Sequence, residues 1–226
     1  MGPRLTSRNS SYVANENPPG DGTAPESRPP FEQYSDMDII DQIREFPLAW
    51  VCPLGGNPML STLLPLLPET NAAGQLHTLL GHIPRRNPLL EALTAQPRAS
   101  VLFCGPQAYV SSACVSDPAW APTWNFAQVR IDATIRFDVE ATDEALWALT
   151  RAMEAYEPTG WTPDNMGERY SRISRAVIGF RAQVNQHQAR FKLGQDEKPE
   201  RLREILARHP DAALVRWMRR FNAGRC

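Results

Sequence analysis

The sequence predicts an antiparallel β-barrel with α-helical additions, an α+β fold. Three observations carry this. Roughly seven apolar runs of strand length follow one another, mostly joined by short Gly, Pro and Asn turns. Residues 129–139 alternate strictly: Val129, Ile131, Ala133, Ile135, Phe137 and Val139 interleave with Arg130, Asp132, Thr134, Arg136 and Asp138. That period of two marks a long strand with one wet face. Finally, residues 48–83 run strand after strand without intervening helices, unlike a doubly wound parallel fold.

Taken in order, residues 1–30 read as a disordered tail. They are rich in Pro, Gly, Ser and Asn, have no hydrophobic period, and bury too little apolar surface to offset the entropy of ordering. Residues 31–226 read as a single folded domain. Ser35 caps a helix to Phe46, whose apolar face is Ile39, Ile40, Ile43 and Phe46, and Pro47 stops it. Strands follow at 48–52, 59–67 and 76–83. Asn87 and Pro88 open a helix to Ala95, as an N-cap and a first-turn proline do. Strands at 100–104 and 107–112 flank a Gly-Pro turn, residues 117–122 form a loop, and the long strand occupies 123–139. A helix over 143–156, capped by Thr142, precedes a helical piece near 164–174. Strands at 176–184 and 189–193 and helices at 199–208 and 211–221 complete the chain. The last helix carries an apolar stripe (Leu214, Val215, Trp217, Met218, Phe221) for the barrel or a second subunit, and a solvated basic face.

Composition narrows the function. The 226 residues hold 24 Lys+Arg against 25 Asp+Glu, a net charge of −1, which argues against a nucleic-acid coat or a polybasic membrane binder. No apolar run reaches the ~18 residues of a membrane span, and the N-terminus lacks an apolar signal core, so a cytoplasmic location is expected. The four cysteines form no CxxC pair; Cys52 and Cys104, in apolar strand-like runs, read as reduced core thiols.

Phosphate-loop, zinc-protease and nucleophile-elbow motifs are absent, so the histidines carry most of the local information. His77 and His82, five apart on one strand, face opposite sides. His82 follows Gly81, which would let a planar ligand approach the backbone, and precedes Arg85 and Arg86, suited to carboxylates or a phosphate. The plainer alternative is a core-edge histidine bonded to a carbonyl, beside solvated arginines. His187 and His209 read as surface residues. Trp124 and Asn125 open the long strand, and Tyr109 and Ser111 share a strand face, so these four could line a barrel mouth or simply anchor turns. Lys192 is placed to meet an anion or to guard a sheet edge.

Several segments in order resemble the PaiB-like family, whose members are described as FMN-binding negative transcriptional regulators. They are Phe46–Val51, Leu80–Pro88, Gly105–Ser111, Pro122–Phe126, Ile178–Phe180 and Arg190–Gln195. The resemblance spans about Phe31 to Leu206 and implies a split β-barrel, usually a homodimer with cofactor sites at the subunit interface. Where the family commonly carries His-Leu-Pro in the second strand, this chain has Leu63-Leu64-Pro65. The retained Gly81-His82-Ile83-Pro84, continuing as Arg85-Arg86-Asn87, and the later Lys192–Glu197 segment resemble the family's haem-using branch, the piperazate synthases.

That branch implies a small amino-acid substrate, N5-hydroxy-L-ornithine. Haem iron promotes N–O cleavage, the α-amine attacks the side-chain nitrogen, and L-piperazic acid forms with loss of water. The cofactor expected is haem b, bound non-covalently because no CxxCH occurs. On this reading His82 is the axial ligand, with His77 in reserve. Arg85, Arg86 and Lys192 meet the propionates, and Trp124 and Tyr109 wall the pocket. Asn125 or Ser111 orients the substrate's head. The alternative is an FMN-binding protein in which the three cations hold the phosphate. Direct nucleic-acid binding is not expected, because the charge is near zero and no recognition helix is evident.

Overall fold

Six antiparallel strands close a barrel in the computed structural model, which describes residues 28–155, 157 and 159–225. In chain order the strands are β1 (Leu48–Pro53), β2 (Thr62–Thr70), β3 (Leu76–Pro84), β4 (Arg98–Val110), β5 (Thr123–Asp138) and β6 (Val177–Lys192). Around the barrel they run β1-β2-β3-β6-β5-β4, and β4 pairs back to β1. The helices are α1 (Asp36–Glu45), α2 (Pro88–Ala95), α3 (Ala141–Glu154), α4 (Glu168–Ala176), α5 (Pro199–Arg208) and α6 (Ala212–Phe221). Most of the proposed N-terminal tail lies outside the described residues.

Alternation builds the core. Val51, Leu66, Leu79, Ile83, Val101, Phe103, Val129, Ile131 and Phe180 point inward and are fully or almost fully buried in one cluster. Two pairs of expected strands merge. The Gly105–Pro106 step is a bulge inside β4, where a Cβ on Gly105 (φ +132°) would stand 2.7 Å from the Phe46 ring. Polar residues 185–188 stay in strand because β6 continues on β5 beyond a second irregularity. Early β6 pairs with β3 and β5, but its later half pairs with β5 alone. There the Tyr34 hydroxyl accepts from the Ala189 N–H at 3.1 Å, covering the open edge.

The helices decorate this frame. Ser35 caps α1 in a reciprocal box with Asp38. The α6 stripe packs inward as expected: Leu214, Trp217 and Met218 are buried, and Phe191 stacks on Phe221 at 4.6 Å between centroids. Its basic face is not simply solvated, since Arg216 pairs with Glu45, and Arg220 with Asp38 and Asp41, all on α1. Thr142 does not cap α3; it lies in the first turn and accepts the Gly179 N–H at 3.0 Å. The thiols also depart from expectation: Cys104 is exposed and Cys52 half-buried, because both lie on the barrel's outer surface. No helix among the described residues is long and apolar enough to cross a membrane.

Candidate functional site

His82 sits on the outer face of β3, directly opposite Gly179 on β6. Its inward neighbour Gly81 does not open the backbone to a ligand. A Cβ there would meet Leu66 at 2.6 Å and Phe180 at 3.0 Å, so the missing side chain makes room for the core. Gly179 makes room on the outer side, where the first turn of α3 occupies the Cβ position (Ala141 carbonyl carbon 2.5 Å, Thr142 N 2.6 Å). The N-terminus of α3 thus lies against the residue facing His82.

The environment favours a neutral imidazole. Burial pushes the His82 pKa below its ordinary value. Nδ1 is buried without a hydrogen-bond partner, whereas Nε2 is not sealed in this way. His82 is therefore not the carbonyl-bonded core-edge histidine of the plainer alternative. Beyond it, the turn is held by the Arg85 N–H to Ala176 O and by the Asn87 N–H to Pro84 O, both 2.9 Å. Asn87 caps α2 through the Leu89 N–H. This leaves Arg85 and Arg86 exposed, with no carboxylate partner among the described residues.

Toward β1 the same outer surface becomes apolar. Trp50 pairs with Leu63 across the ladder, and they are 49% and 42% exposed, with Leu48 beside them. His77, on the opposite face of β3, is exposed and receives the Gln183 side-chain amide on its carbonyl at 3.1 Å.

The remaining expected site residues gather elsewhere. Tyr109 and Trp124 form an exposed cross-strand aromatic pair, 5.8 Å between centroids. Lys192 Nζ bonds to the Thr123 hydroxyl and, at 3.0 Å, to the Trp124 carbonyl. Asn125 faces the other way: it is 2% exposed and its amide lies 3.6 Å from Met218 Sδ, so it packs α6 against the barrel. Ser111 caps a 3-10 turn through the Ala113 N–H. Lys192 ends the sixteen-residue β6 near whose start Gly179 and His82 meet, on the order of 40 Å of strand apart. Within one chain the two groups do not come together.

Sequence reading missed the network that seats α3. Arg181 bonds Glu69 through Nε (2.9 Å) and Glu144 through Nη2 (2.6 Å), tying β2, β6 and α3. Burial raises the Glu69 pKa, but the Arg181 and Thr78 hydrogen bonds outweigh it and the net shift is downward. The sole local signal is an arginine between the core residues Phe180 and Ala182. A cleft of about 760 Å³ between α1 and α6 contains none of the expected site residues, and its Arg216, Arg220, Asp41 and Glu45 are committed to ion pairs.

Fold and outer-face site together define a split-barrel protein of the FMN-binding-like class. Residues 27–186 match the family described as "Putative FMN-binding domain", and the chain belongs to that family. It is 30% identical over 147 residues to the Protease synthase and sporulation protein PAI 2 of Bacillus subtilis (strain 168), covering 62% of this chain and 67% of that protein. Two solved structures share the fold. One is an FAD and heme binding protein from Mycobacterium smegmatis (TM-score 0.50, 16% identity, 70% of this chain and 71% of that one). The other is a conserved hypothetical protein from Mycobacterium tuberculosis (TM-score 0.51, 11% identity, 74% and 91%).

Proposed function

We propose that the chain is a haem-dependent piperazate synthase, converting N5-hydroxy-L-ornithine to L-piperazic acid and water. The observation that carries this reading is His82: an imidazole whose pKa burial lowers, not sealed at Nε2, on the barrel face that carries the exposed Leu48, Trp50 and Leu63 and followed in the chain by two exposed arginines without a carboxylate partner among the described residues. A haem iron needs only one imidazole from the protein. Among the described residues no cluster of three or more His, Cys, Asp or Glu offers a site for a bare metal ion. Bound haem would supply an electrophilic iron that weakens the N–O bond.

The chain's own groups do the rest. His82 Nε2 would hold the iron, and Arg85 and Arg86 would meet the propionates. The departure from a typical metal-bound histidine is Nδ1, which is buried with no acceptor to orient the ring. The reaction breaks N–O, forms N–N, and releases the departing hydroxyl as water with one proton from the α-amine, so it needs no external reductant.

A homodimer follows from the same reading. The Leu48, Trp50 and Leu63 surface would take a second copy. An antiparallel arrangement would bring the second copy's Tyr109, Trp124 and Lys192 toward His82, walling the pocket and binding the substrate carboxylate. The second reading keeps the pocket and changes the cofactor: Arg85 and Arg86 would hold the phosphate of FMN, as the family description suggests, in a flavin oxidoreductase or a regulator.

The absorption spectrum of the purified protein separates the two. A Soret band, lost or shifted in His82→Ala, supports haem ligation, and flavin bands alone would sink it. Turnover of N5-hydroxyornithine to a product one water lighter tests the reaction.

A further inference from the structure

A second concave surface lies away from His82, on the outer faces of β4, β5 and β6. Two adjoining hollows of about 460 and 390 Å³ share Ser100, Arg130 and Gln188, and the larger extends to Leu102, Arg190 and Glu32. This size accommodates a small metabolite.

Ser100 lies on the floor. It alternates with the inward Ala99 and Val101, so its side chain belongs to the outer surface, yet it is only 6% exposed. Its hydroxyl is buried and has no partner. A buried hydroxyl left unpaired is costly, and such exceptions call for a physical reason. Arg130 stands beside it on β5, across from Leu102 on one side and Gln188 on the other.

Arg130 has no carboxylate partner among the described residues, and the nearest acid on its own strand face is already occupied. Asp132 accepts from Arg98 Nη2 on Oδ2 at 2.5 Å and from the Asn185 amide on Oδ1 at 3.2 Å. At the rim, Arg190 already attracts a carboxylate, that of Glu32, at 3.6 Å. A guanidinium with no carboxylate partner among the described residues, an unpartnered buried hydroxyl and an amide therefore converge where the two hollows meet; the other charged side chains of the lining, Arg190 with Glu32 and Asp132 with Arg98, are already paired.

We infer that this groove binds a small molecule through its carboxylate. Arg130 takes the anion as a bidentate partner, Ser100 and Gln188 complete its hydrogen bonds, and the Leu102 side receives the carbon skeleton. The inference is independent of the cofactor at His82, because Arg85 and Arg86 take no part in the groove.

Calorimetric titration of the full chain, with whatever cofactor it carries, tests this using succinate, succinamide and inorganic phosphate. Saturable succinate binding is expected, weakened by about tenfold or more in Arg130→Gln, as loss of a charged hydrogen bond requires. It should weaken less in Ser100→Ala and stay unchanged in Arg85→Gln. Circular dichroism checks folding; should Arg130→Gln fail it, Arg130→Lys keeps the charge, loses the fork, and should still bind more weakly. Any one of three results overturns the proposal: no saturable succinate binding, succinamide or phosphate binding at least as tightly, or unchanged affinity in the folded Arg130 variants.

Discussion

His82 and Gly179 face each other across the β3–β6 ladder, and the first turn of α3 fills the space a side chain at 179 would need. The contact couples the candidate ligand to a helix more than fifty residues later in the chain. It is backbone against backbone, so relief requires moving α3. Gly179→Ala is expected to cost about 1–3 kcal/mol, the range for overpacking, and to disturb cofactor binding at His82. Urea denaturation and the cofactor spectrum check both. An unchanged midpoint with an unchanged spectrum would show that α3 does not depend on this seat.

The His82 environment predicts a pH dependence of stability. Its folded pKa lies below the ordinary histidine value of about 6.5. Below that value the unfolded chain takes up a proton that the folded chain refuses, so stability falls as pH falls. The loss levels off once pH passes beneath the folded pKa, and above about 6.5 the residue contributes no slope. In the cofactor-free protein, His82→Phe should flatten this part of a urea-midpoint profile taken from about pH 5 to 8. A profile that keeps its full slope would place the titrating group elsewhere.

The α1–α6 junction pits ion pairs against packing. Arg216 and Arg220 pair with α1 acids, yet these pairs are partly exposed, and such pairs contribute ~0–1 kcal/mol. Trp217 is 3% exposed, stacks with Phe191 and Phe221, and donates its indole N–H to Glu45 at 2.9 Å. Trp217→Ala should cost about 3–5 kcal/mol. Arg220→Ala should cost a small, salt-sensitive fraction of that. Comparable losses in the two variants would mean that the charges hold α6 in place.

Legibility in the sequence followed the range of the forces involved. The 123–139 alternation, the Ser35 and Asn87 caps and the α6 stripe are local patterns, and they appear where expected. Gly105–Pro106 carries turn chemistry but stays within β4, because β5 pairs on both sides of the bulge. Residues 185–188 look like a loop because they are polar, yet pairing with β5 keeps them in strand. The orientation of Gly81 depended on which face of β3 the core claims. The Arg181–Glu69–Glu144 network joins residues far apart in the chain, so no spacing encodes it. The expected site residues were recognisable as types, but their division between the two ends of β6 follows from register alone.

That division yields the sharpest functional prediction. His82 and Lys192 lie too far apart along β6 to serve one pocket within a chain. If a second copy completes the site, His82→Ala and Lys192→Ala damage different halves of the same pocket. Each variant alone should lose most cofactor-dependent activity. A mixed population, dissociated and reassociated, forms heterodimers in which one pocket carries both lesions and the other carries none. With equal mixing, activity should recover toward about a quarter of wild type, because half of the dimers are mixed and each regains one of two sites. Dilution or an added charge at Leu63 (Leu63→Asp), which breaks the apolar surface, should abolish the recovery. Recovery that fails while both variants remain dimeric by light scattering would place the whole site within one chain and exclude Lys192 from it.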